Sequence, residues 1–190
     1  MSDSDKVYDT INLSYTQPAR HYHNLDHLHN CLRELDEVRE LAQDADAIEI
    51  ALWYHDIVYD IAAPDNEARS AQLVFEICMA AGLPGSFAGV VSRLIIATDH
   101  RGEVKTKQEQ LIRDIDLSIL GKPSDEYHNY ETSIRKEYSM VPDDEFKTGR
   151  MNFLRQLLDQ RAIYLTDFFS GKYELTARAN IKHALVMLSR

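Results

Sequence analysis

This chain is poor in the residues that mark several common kinds of protein. It has two cysteines in 190 residues, Cys31 and Cys78. With no CxxC motif they form neither a disulfide framework nor a thiol redox pair, and they read as free core thiols in a reducing compartment. Seven glycines and the absence of any GxxxxGK[ST] or GxGxxG run exclude the usual phosphate-cradling loops. No apolar stretch is long enough to span a membrane. The opening residues MSDSDKVYDT lack the basic and apolar regions of a signal peptide, so the cytoplasm is the expected location. Basic residues are outnumbered 31 to 21, for a net charge of -10. That balance argues against nonspecific nucleic-acid binding, which needs clustered Lys and Arg on phosphates. One basic stretch, from His100 and Arg101 to Lys105 and Lys107, reads as a solvated loop or as a positive lip for an anionic substrate.

Alternating apolar and polar runs bounded by turn residues are also missing, and helical periodicity fills the chain instead. Leu25, Leu28, Leu32, Leu35, Val38 and Leu41 predict a long amphipathic helix after Asn24, a good N-cap. Ala47 to Tyr59 is apolar almost all round and predicts a buried central helix. Pro64-Asp65 opens a third helix and Gly82 closes it. A fourth ends near Asp99, and a fifth runs through Leu111 and Ile119 until Gly121 and Pro123 stop it. Further helices are expected around Tyr127 to Tyr138, Phe146 to Leu158, Ile163 to Phe169 and Leu175 to Leu188. The expectation is one all-α domain over residues 1–190, a bundle of eight or nine helices. Its chemistry falls in a core of about 20–121, with C-terminal helices over about 124–190.

Histidine is where the sequence becomes specific. Four of the eight histidines, His21, His23, His27 and His29, fall within nine residues. His55-Asp56 ends an apolar helix, and Asp114 and Asp116 follow on another. Histidine, histidine-aspartate and aspartate on separate helices can supply two imidazole nitrogens and two carboxylates to one divalent cation. A buried charge must be paired or bind metal. His27 and His29 flank the leucine stripe on opposite sides, so helical geometry alone does not choose between them. Read alone, His55 could equally be a hydrogen-bonded core histidine.

The run Tyr22-His23-Asn24-x-x-His27-Leu28, then Trp53-Tyr54-His55-Asp56-Ile57-Val58-Tyr59, then Asn66-Glu67-x-x-Ser70-Ala71, then Asp114-x-Asp116-Leu117, resembles the HD superfamily. The likeness is to its small bacterial metal-dependent phosphohydrolases, from about residue 15 to about residue 170. It includes the Tyr127, Arg135, Glu137, Tyr138 pattern.

The resemblance implies an all-α HD-domain-like bundle with one metal on His27, His55, Asp56 and Asp116. Asp114 competes with Asp116, because the spacing to the following leucine is one residue short. Only His100 lies between His-Asp and the last aspartate, which disfavours a two-metal site. The mixed nitrogen and oxygen set suits Mn, Fe, Co, Ni or Zn without choosing among them. Such an ion lowers the pKa of water and polarises a phosphoryl oxygen.

A general acid or base is then needed. Asp60, four residues past Asp56 on the expected helix, and Glu67 are the candidates. Arg20, His23, Asn66, His100 and Arg101 are candidates for holding a small anionic phosphorylated substrate, a nucleotide by expectation. The reading is a metal-dependent hydrolase of a phosphate ester or anhydride. Its alternatives are a metal-stabilised binding or regulatory module and, less favoured, an HD-fold iron oxygenase.

Overall fold

A computed structural model describes residues 3–190. Among these residues the chain is all-helical with no strand. No helix is long and apolar enough to cross a membrane. The chain divides into two compact units, the first ending at Ile115 and the second covering Asp116–Arg190.

The first unit opens with α1 (Asp3–Tyr15), a helix that the sequence reading leaves out. Its polar composition hides it, for only Ile11 and Tyr15, one turn apart, are buried among its described side chains. The expected second helix is present as α2 (Leu25–Val38), with the Asn24 Oδ1 accepting the Asp26 and His27 N–H groups at 2.9 and 3.3 Å. Its buried stripe is His27, Leu28, Cys31, Glu34, Leu35 and Val38, while Leu25 and His29 are exposed. The helix is therefore rotated from the leucine pattern toward its histidine and its cysteine.

α3 (Ala45–Tyr54) is capped by Asp44 and buries Ala47, Ile48, Ala51 and Leu52 completely. It ends five residues before the expected Tyr59, because side chains from elsewhere take over the backbone hydrogen bonds. The Tyr15 hydroxyl donates to Trp53 O at 3.3 Å and accepts the Asp56 N–H at 3.2 Å. Arg20 donates to the carbonyls of Asp56 and Ile57. The Val58 N–H goes to Ser70 Oγ at 3.1 Å, and the Asp60 N–H to Asn66 Oδ1 at 3.0 Å. Residues 55–60 are thus an irregular turn held from outside.

α4 (Asn66–Ala80) packs Ser70, Ala71, Val74 and Cys78 inward and ends at Gly82, whose φ of 75° is left-handed. α5 (Gly85–Ala97) packs along α4, with Ser92 Oγ donating to Ala71 O at 3.0 Å. α6 (Lys107–Asp116) begins with a capping box. Thr106 Oγ1 accepts the Glu109 N–H, and Glu109 Oε2 accepts the Thr106 N–H. Arg113 ties α6 to the end of α5 by donating to Ala97 O and Asp99 O, both at 2.8 Å.

The second unit continues from α6 as a short 3-10 turn, Leu117–Gly121, followed by α7 (Ser124–Glu137), α8 (Asp143–Asp159) and α9 (Asp167–Leu188). A Cβ on Gly121 would overlap the Tyr173 side chain, so glycine is required there for close approach. The expected helices at Ile163–Phe169 and Leu175–Leu188 are replaced by an extended lead-in and one helix of 22 residues. Glu174 accepts the Ile163 and Tyr164 N–H groups, which removes them from any local helix.

Candidate metal centre

Three features of the first unit bring His27, His55 and Asp56 together. The rotation of α2 buries His27 to 4% exposure. The early end of α3 places His55 at its C-cap, and the Tyr15 and Arg20 bonds fix the turn that carries Asp56. His27 Nε2 lies 3.1 Å from His55 Nε2. Asp56 Oδ2 lies 3.1 Å from His55 Nε2 and 3.5 Å from His27 Nε2.

The tautomer of His55 is set by its neighbour. Its Nδ1 is 2.7 Å from Leu52 O, and a carbonyl only accepts, so Nδ1 carries a proton. In neutral His55 the Nε2 lone pair therefore faces His27 and Asp56. A backbone acceptor behind the distal ring nitrogen is the usual support for a metal-binding imidazole.

α6 contributes the next donor. It is Asp116, the last residue of the helix. One ligand atom each from His27, Cys31, His55 and Asp116 lies within 4.8 Å of the others, and the first three residues are buried. Asp114, fully buried on the same helix, does not belong to this group. Of the two aspartates on α6, Asp116 is the one in this group, and Asp56 lies outside it as Asp114 does.

Metal bonds of about 2.0–2.3 Å at angles between right and tetrahedral separate ligand atoms by roughly 2.9–3.6 Å. The three distances among His27, His55 and Asp56 fall within that span. Asp56 Oδ2 is shielded from solvent and makes no well-formed hydrogen bond. Burial pushes the Asp56 carboxyl up, but the imidazoles of His55, His23 and His27 outweigh it and hold it well below the usual carboxylate range. With the imidazoles neutral, the His55 Nε2 lone pair and the Asp56 carboxylate face one another, an arrangement that a divalent cation would satisfy. The buried group could hold a metal ion.

The other candidates are distributed unevenly around it. His23 stacks on Tyr59 with ring centroids 4.4 Å apart and sits 5.8 Å from the His27 ring. Glu67, in the first turn of α4, is half-buried. Burial, then the charges of Asp99 and Asp56, push its carboxyl up against the opposing pull of Arg101. A half-buried carboxyl that senses Asp56 is suited to proton transfer.

Asp60 requires a correction. With α3 ended at Tyr54, the four-residue step from Asp56 follows no helix, and the exposed Asp60 carboxylate accepts the Ala62 N–H at 2.9 Å. Asn66 is likewise a staple of this loop, bonded in both directions to the Asp60 backbone.

Arg20 is also corrected. Its guanidinium is 6% exposed, donates to main-chain carbonyls and lies over the rings of Tyr15 and Tyr59, which makes it a support of the His-Asp turn. Arg101 is 62% exposed at its side chain, but it is bonded to both Asp99 oxygens and to Pro64 O, and so braces the α5–α6 loop. His100 is half-buried beside it in the same loop.

Cys31, expected from the sequence as a core thiol and as the one thiol at hand for a structural zinc site in the histidine segment, falls in this group. The available signal was its i+4 step from His27, which puts both on one helix face. Comparison with family models, with curated proteins and with solved structures finds no match for this chain.

Proposed function

We propose that the protein is a metal-dependent phosphohydrolase of the HD type, acting in the cytoplasm on a phosphate ester or anhydride, a nucleotide by preference. The observation that carries this reading is the convergence of His27 Nε2, His55 Nε2 and Asp56 Oδ2 within 3.1–3.5 Å, with His55 held as its Nδ1–H tautomer. Asp116 joins both histidines from α6. The order His, His-Asp, Asp that resembles the HD superfamily is the order in which these helices supply donors.

A divalent transition-metal cation, manganese, iron, cobalt, nickel or zinc, would supply an acidified water and a polarised phosphoryl oxygen. His27, His55, Asp56 and Asp116 hold and orient it. Glu67, half-buried with its carboxyl pushed up by burial and by the Asp99 and Asp56 charges, is the proton acceptor. His23, stacked on Tyr59, offers a ring nitrogen toward an anionic substrate, and Arg101 is the exposed guanidinium on the α5–α6 loop.

The test begins with elemental analysis of gently purified protein, where about one transition metal per chain is expected. Metal-loaded protein is then assayed on mononucleotides, dinucleotides, cyclic nucleotides and generic phosphoesters. Glu67→Gln should lower kcat by about 10²- to 10⁴-fold with metal content intact. Metal retention with every substrate untouched would favour a metal-stabilised binding module instead. No bound metal and no metal-dependent hydrolysis would remove both readings.

A further inference from the structure

We propose that Cys31 is a ligand of the same cation, and that its thiolate biases the site toward thiophilic ions such as zinc, iron(II) or cobalt(II) over manganese and magnesium. The inference rests on the metal-site reading above and extends it beyond the ligands that the HD resemblance implies.

Three observations carry it. Cys31 follows His27 by four residues on α2, so both side chains leave the same face of the helix. Its Sγ lies 3.7 Å from His27 Nε2, close to the roughly 3.6 Å separating a sulfur and a nitrogen bound tetrahedrally to one ion. It also falls, with His55 and Asp116, in the set whose donor atoms are all within 4.8 Å. A structural core cysteine packs as a small hydrophobe. Cys31, at 1% exposure, instead faces two imidazoles and a carboxylate.

Cys78 supplies an internal contrast. It is equally buried, on α4, and no metal-ligating group gathers around it.

Ligation exchanges the S–H bond for a sulfur–metal bond and releases the proton to solvent. Thiolate is the softest donor in the set, and soft donors select against hard cations. Its thiolate would join the donor atoms of His27, His55 and Asp116, all within 4.8 Å of one another, as one further protein ligand. The site would then bind its ion more tightly, and open it less, than a four-donor HD site.

The experiment is cobalt(II) substitution of the full chain, read by absorption spectroscopy. Wild-type protein with one cobalt per chain should show a near-ultraviolet sulfur-to-cobalt charge-transfer band. Cys31→Ser should keep the cobalt on its remaining ligands and lose that band. Its zinc affinity, measured by chelator competition, should fall by more than about tenfold, the lower end of the loss seen for an outer-shell partner, while manganese affinity changes less. One cobalt per wild-type chain without the band overturns the Cys31 assignment and leaves the four-ligand site standing. Failure of the wild-type chain to take up cobalt or zinc at all overturns the metal site itself. Because the spectrum of the wild-type protein decides the first point, a Cys31→Ser variant that fails to fold does not shield the proposal.

Discussion

Two buried polar clusters, one in each unit, solve the problem of charge in opposite ways. In the second unit the Glu131 carboxylate receives Arg150 Nε at 3.1 Å and Nη2 at 2.9 Å, together with the Tyr127 hydroxyl. Arg150 is 9% exposed at its side chain and lies over the rings of Tyr130 and Phe153. Burial and the Glu131 charge push the Tyr127 hydroxyl far up, so it stays a donor. Every charge there has its complement within the chain. In the first unit, His27, His55 and Asp56 converge, and Arg20, which reaches the same turn, donates to main-chain carbonyls. A buried charge has to be compensated, and a bound cation would do for Asp56 what Arg150 does for Glu131. The Arg150 cluster carries its own cation, whereas the His27 cluster is the one proposed to take up a metal.

The largest expected effect tests the first half of that contrast. Arg150→Met leaves the half-buried Glu131 carboxylate without its cation, held by the Tyr127 hydroxyl alone among the contacts described. Breaking a buried ion pair costs about 3–5 kcal/mol, and the partial exposure of Glu131 puts the expectation at the lower end. Urea unfolding with and without a chelator should give the same loss, because no metal takes part. A folded Arg150→Met protein that had lost its metal would break the division between a structural and a functional cluster.

The same contrast explains what could be read from the sequence. Helices with a clean apolar stripe, α4 and α5, were legible, and so was the Asn24 cap of α2. The metal histidine was not separable from His29, because the stripe drawn through Leu25 and Leu32 differs from the buried one through His27 and Cys31. Helix ends set by distant side chains were invisible. Nothing local in Ala47–Tyr59 announces that Tyr15, Arg20 and Ser70 will claim the backbone beyond Tyr54. That early ending removed Asp60 from its expected helical face and left Glu67 as the acid-base candidate. The long α9 was cut in two because the apolar pattern pauses between Phe169 and Leu175, while packing against the 3-10 turn continues through Tyr173 and Asn180. The order of the candidate donors was legible, but the place of Cys31 beside them required the fold.

The second half of the contrast predicts a smaller, metal-dependent effect. An ion that binds only the folded chain stabilises it by about 2.7 kcal/mol when its free concentration is a hundred times its dissociation constant. Thermal unfolding of wild-type protein should therefore move upward with added zinc or cobalt and downward with a chelator. His55→Ala should show neither shift, since it removes the nitrogen shared by the closest distances in the cluster. A chelator-sensitive His55→Ala would move the binding site elsewhere in the chain.

The smallest effect lies at Glu67 and concerns the metal-free protein. Its folded pKa is raised above the ordinary value of 4.5, by burial first and by the Asp99 and Asp56 charges next. Below pH 4.5 the carboxyl is protonated in both the folded and unfolded chains, and its contribution to stability is fully present. As pH rises from there through the folded value, the unfolded chain ionises first, and that contribution is lost. Glu67→Gln has no such proton to lose. Its stability relative to wild type should therefore climb over that window and level off above it. Groups that do not interact with Glu67 titrate alike in both proteins, so the difference between their unfolding free energies reports Glu67 together with its coupling to Asp99 and Asp56. Chemical denaturation of the two proteins at closely spaced pH values measures it directly. A difference that stays flat from pH 4 upward would mean that Glu67 sits in ordinary solvent, and would withdraw it as the proton acceptor beside the metal cluster.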